Sequence, residues 1–110
     1  MTTGGQKIYW HRELPPLADE LLGSHTVEAT SDPVEYKLSE RDAMWKQCSE
    51  SLRVNLAARL EQEIDRLGGS CAHVLEEDTT EHIDYPTNRY WLIGRLSYSL
   101  YRHPERAPES

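Results

Sequence analysis

The chain has 110 residues, and its 12 Lys and Arg against 19 Asp and Glu leave a net charge of −7, which fits one small acidic domain. With no run of Lys or Arg, that balance argues against binding duplex nucleic acid and against docking on an anionic membrane. The apolar fraction is 37%, and Phe is absent. Ordinary domains run at roughly 45–50%, so the core is lean and support from self-association is expected.

The two cysteines, Cys48 and Cys71, are too few for a disulfide framework and read as reduced thiols that behave as small apolar groups. Residues 1–7 carry no apolar leader segment, and no 18 consecutive apolar residues occur. The expected location is cytoplasmic.

Residues 1–6 are polar with two glycines and are expected to be a flexible tail, as is 104–110. Ile8-Tyr9-Trp10 suits an edge strand or an extended arm. Pro16 to Leu22 reads as a short helix that Gly23 ends. From His25 to Thr30 the pattern alternates, with Val27 and Ala29 on one face and Thr26, Glu28 and Thr30 on the other.

Residues 39–67 form the strongest element, a long helix with Ser39 as its cap and Gly68-Gly69 as its stop. Trp45, Cys48, Leu52, Leu56, Leu60, Ile64 and Leu67 recur every three or four residues. Each four-residue step advances by about 40°, so the stripe slants, as suits a helix lying across a twisted sheet. Asp42 with Lys46 and Arg59 with Glu63 are spaced for surface ion pairs.

Ser70 to Leu75 reads as a strand, and Glu76 to Asn88 as an acidic, turn-rich loop too irregular for a calcium site. Tyr90 to Arg102 is the longest strand: Leu92, Leu96, Tyr98 and Leu100 share the helix-facing side. Gly94 stands among them where a large side chain is expected. Trp91, Ile93, Arg95 and Tyr101 look away.

The expected fold is therefore α+β, a three-stranded antiparallel sheet with one long helix on one face (β-α-β-β). A fourth strand is added if residues 7–12 join. In element order alone it resembles small bacterial β-α-β-β domains, such as dodecin, that assemble into rings or dimers. No motif extends the likeness, and no family and no flavin binding is inferred from it.

The chemistry is sparse. CxxC, HExxH, GxSxG, Walker and GxGxxG patterns are all missing, and the five histidines are scattered. No cofactor and no metal are expected, and the weight falls on a non-enzymatic module. The face away from the helix collects the candidate site residues Trp91, Ile93, Arg95, Tyr101, His73 and Glu28. It is too apolar to be simply solvated. A homo-oligomer interface is the first reading of that face, with no nucleic acid and no membrane as partner. The alternative is a small-ligand-binding protein or enzyme using His73, Arg95 and Glu28 with Trp91 as a wall.

Overall fold

A long hairpin organises the molecule, and its length is the main departure from expectation. The computed structural model describes residues 7–15 and 19–103; the expected tails at 1–6 and 104–110 lie outside them. The elements are β1 (Ile8–Trp10), β2 (Glu20–Thr30), β3 (Val34–Glu35), a 3-10 turn (Leu38–Glu40), α1 (Arg41–Arg66), β4 (Cys71–Asp84) and β5 (Arg89–Arg102). The expected acidic loop is thus mostly strand: β4 runs to Asp84 and pairs with β5 along its whole length. Only Tyr85 to Asn88 turn, with Asn88 at φ 57° and Thr87 Oγ1 donating to Asp84 Oδ2 at 2.6 Å. The acids hid the alternation, and they are tolerated because that stretch is largely exposed.

The sheet is mixed, not antiparallel, and has five strands in the order β1-β4-β5-β2, with β3 also pairing β5. Residues 8–10 do join, but parallel to β4. β3 pairs with the start of β5, Val34 opposite Tyr90. The helix expected over Pro16–Leu22 is not formed where described, since Glu20 to Leu22 already belong to β2. Residues 16–18 lie outside the described set.

The helix is shorter than expected at its start. Ser39 falls in the 3-10 turn, Glu40 precedes the helix, and no side chain caps the first turn. Its end is as the glycines imply: Gly68, at φ 78°, donates to Asp65 O and Gly69 to Ile64 O at 2.9 Å. Glu63 pairs with Arg66 rather than Arg59.

Met44, Cys48, Leu52, Leu56, Leu60 and Ile64 are the buried helix positions, one every four residues. Trp45 is excluded from that stripe and is 42% exposed. Five steps of four residues rotate the stripe by about 200°, which the twist of the hairpin accommodates. Beneath it lie Tyr90, Leu92, Leu96, Tyr98 and Leu100 of β5, with Ala72 and Val74 of β4 and Val27 of β2. The even-numbered positions of β5 therefore face the helix, as expected.

Gly94 belongs to the same row for a steric reason. A Cβ there would lie 2.8 Å from Leu56 Cδ1 and 2.9 Å from Leu52 Cδ2. The missing side chain lets the middle of the helix approach the sheet.

The Tyr98 hydroxyl is buried in this core without a hydrogen-bond partner among the described residues. Removing an unsatisfied buried hydroxyl relieves its desolvation cost. Tyr98→Phe is expected to leave stability unchanged or raise it by about 1 kcal/mol in urea unfolding. A loss larger than that would show that the hydroxyl is hydrogen-bonded in solution.

Candidate functional site

The face of the sheet away from α1 is not uniform. β1 flanks β4 on one margin and β2 flanks β5 on the other. Two described residues between those strands, His11 and Asp19, lie against the face away from the helix. His73 Nε2 donates to the His11 carbonyl at 2.6 Å, and Cys71 Sγ donates to Asp19 Oδ2 at 3.5 Å. Tyr9, Cys71 and Ser99 are buried at this end. One end of the expected open face is therefore covered from within the chain.

The same end holds a thiol, a carboxylate and an imidazole in contact, a cluster that sequence reading missed. Asp19 Oδ2 accepts from Cys71 Sγ and also from His103 Nδ1, the latter at 2.8 Å. The three residues are 52 and 84 positions apart in pairs, so no local spacing could reveal them. The order of contacts matters chemically. The imidazole meets the carboxylate and not the sulfur, so it is not placed to take the thiol proton. Burial, reinforced by the Asp19 carboxylate, pushes the Cys71 thiol up to about 12. A thiol so held stays protonated and is a poor nucleophile.

The other half of the face is open. Across it run three rows of paired residues, Glu28–Arg95–Asp78, Thr30–Ile93–Thr80 and Trp91–His82. His82 stacks on Trp91 with ring centroids 4.6 Å apart. Trp91 and Ile93 are half-buried by their strand neighbours, while Arg95, Glu28 and Asp78 are exposed. Arg95 forms no ion pair among the described residues, although carboxylates flank it on both sides.

The six expected residues thus divide. Trp91, Ile93, Arg95 and Glu28 come together on the open half, whereas His73 and Tyr101 belong to the covered end. His73 pairs with Ser99, four residues along β5 from Arg95 and so about 13 Å away. A convergent His73, Arg95 and Glu28 site is not assembled. Leu75 lies at a register shift between Val74 and Glu76 and is 48% exposed. Beyond that shift the faces of β4 exchange parity, which places Asp78 and His82, not Glu77 or Glu81, on the open half.

A shallow cavity of about 200 Å³ adjoins Trp91, lined by Thr30, Ser31, Pro33 and Arg89. Small-molecule sites run to roughly 300–1,000 Å³. This hollow is smaller. Among the described residues no group of three His, Cys, Asp or Glu could hold a metal ion, and no helix is long and apolar enough to cross a membrane.

What these features define is an α+β domain with a helix on one sheet face and a half-covered second face. Comparison with family models, curated proteins and solved structures finds no match to the chain.

Proposed function

We propose that this chain is a non-enzymatic module that pairs with a second copy through the open half of its sheet, around Trp91, Ile93 and Arg95. The observation that carries this reading is a half-exposed Trp and Ile side by side on a sheet face that the helix does not cover. Trp and Arg are the residue types that anchor interfaces. A two-fold axis near Arg95 would bring each guanidinium to the partner's Glu28 and Asp78, carboxylates with which it makes no ion pair among the described residues of its own chain. The lean composition supports the same reading, because a second layer over this face adds apolar burial that the single chain lacks.

Light scattering across a concentration series tests it. The natural chain is expected to dimerise, and Trp91→Asp to shift it to monomer with an unchanged far-UV spectrum. A natural chain that stays monomeric at every concentration retires the proposal. The hollow beside Trp91 favours a second reading, a small-ligand site walled by Trp91 and Arg89. That reading predicts thermal stabilisation by a small molecule and a bound mass in native spectra, and it fails if neither is found.

A further inference from the structure

The outer edge of β4 is paired for only part of its length. β1 covers Ala72 to Val74, and the last contact there is His11 N donating to Val74 O at 2.9 Å. From Glu76 to Asp84 no described strand lies on that side.

Main-chain directions along this stretch follow from two anchors. Ser31 N donates to Leu92 O, so the even main-chain groups of β5 point toward β2 and the odd ones toward β4. Asp78 and Thr80, opposite Arg95 and Ile93, therefore bond inward. Glu77, Thr79, Glu81 and Ile83 direct their N–H and C=O groups outward. The outward set agrees with the other anchor, since Val74 O also points out and one residue is inserted between them.

Where β1 stops, a cavity of about 150 Å³ opens between the helix and this edge. Leu52 and Leu56 line it with Trp10 and Thr79, and Arg53 lies over the Trp10 ring at 5.6 Å. It is too small for a typical cofactor and has the scale of one aliphatic side chain. A strand continuing along β4 would direct alternate side chains toward the helix, over this cavity.

Charge selects the occupant. The edge carries Glu76, Glu77, Asp78, Glu81 and Asp84. Nearby groups answer part of this, the His11 ring hydrogen-bonding Glu77 and the Arg41 guanidinium pairing with Glu81. Two copies joined through β4 would set acids opposite acids, which is unfavourable across a strand pair. Such acids discourage self-pairing and at the same time attract a basic strand.

We propose that the outer edge of β4 from Glu77 to Ile83 takes a basic, extended segment of another protein as a sixth strand. One aliphatic side chain of that segment fills the Trp10, Leu52 and Leu56 cavity. Strand addition of this kind draws affinity from main-chain hydrogen bonds and specificity from alternate side-chain pockets.

The test uses the full chain, nitrogen-15 labelled, and three short peptides. The first alternates Lys with a central Val; the second has Glu in place of Lys; the third is the first, N-methylated at the amides that would pair. The basic peptide is expected to shift the amides of Glu77, Thr79, Glu81 and Ile83 more than those of Asp78 and Thr80. Its acidic counterpart should bind at least about tenfold more weakly, and N-methylation should abolish binding. Added salt should weaken the basic peptide. The proposal is overturned if the first two peptides bind alike, if none shifts these amides, or if the shifts fall on β2 or around Trp91. Shifts of the same amides with protein concentration alone would assign the edge to a second copy and overturn it equally. Trp91→Asp should leave peptide binding unchanged, which separates this result from the fate of the dimer.

Discussion

Leu96→Asp is expected to abolish the folded state. Leu96 is 0% exposed, lies opposite Val27 and Glu77, and belongs to the core beneath the helix. An ionised carboxylate there has no cation to pair with in the apolar cluster, so it must either stay charged at high cost or bind a proton. Even the neutral acid loses the packing of a buried Leu, which costs about 2–5 kcal/mol on truncation. The total stability of a small domain is about 5–15 kcal/mol. The combined penalty therefore rivals the whole. Far-UV circular dichroism and urea titration should show no cooperative transition for the variant, while Trp91→Asp, one face away, keeps one. A well-folded Leu96→Asp protein would place the core elsewhere.

The second large effect is alkaline unfolding that begins near the ordinary pKa of a thiol. Burial and the Asp19 carboxylate raise Cys71 from 9.0 to about 12 in the folded chain. In the unfolded chain the thiol releases its proton first, so above that pH the folded state holds more protons. Stability is then fully present below pH 9 and falls as pH rises through the folded value. Three pKa units correspond to about 4 kcal/mol at the upper limit. Burial raises Tyr98 and Tyr90 in the same direction, Tyr90 with help from the Glu81 carboxylate, so they steepen the fall. Urea midpoints measured between pH 8 and 11 should decline in the natural chain, and Cys71→Ala should decline less. Parallel declines in both proteins would remove the thiol from the account.

The two predictions rest on parts of the molecule that differ in how visible they are in the sequence. The slanted four-residue stripe from Cys48 to Ile64 and the alternation from Tyr90 to Arg102 are local periodicities, each with a direct physical consequence. They suffice to set helix against strand and to assign the faces of β5. The glycine pair after the helix is local too, since a positive φ at Gly68 needs no distant partner.

β4 shows the limit of that reading. Glu76, Glu77, Asp78 and Glu81 have the composition of a loop, yet their backbone is extended because β5 pairs with it. Pairing is a property of two segments. Gly94 is similar: its lack of a side chain is plain in the sequence, but its reason lies in Leu52 and Leu56, about forty residues earlier.

By itself the sequence determined one long amphipathic helix, a central strand with an apolar face and an apolar-aromatic reverse, and an acidic surface. Periodicity and composition carry that information because each residue's burial follows its neighbours' within a turn or a pleat. Tertiary structure alone decided the parallel seating of β1, the contact of His73 with the His11 carbonyl, and the Cys71–Asp19–His103 contact. These depend on segments far apart in the chain meeting in space, and no local pattern encodes such a meeting. Among the described residues, that assembly leaves the open half around Trp91 and the outer margin of β4 beyond Val74 uncovered.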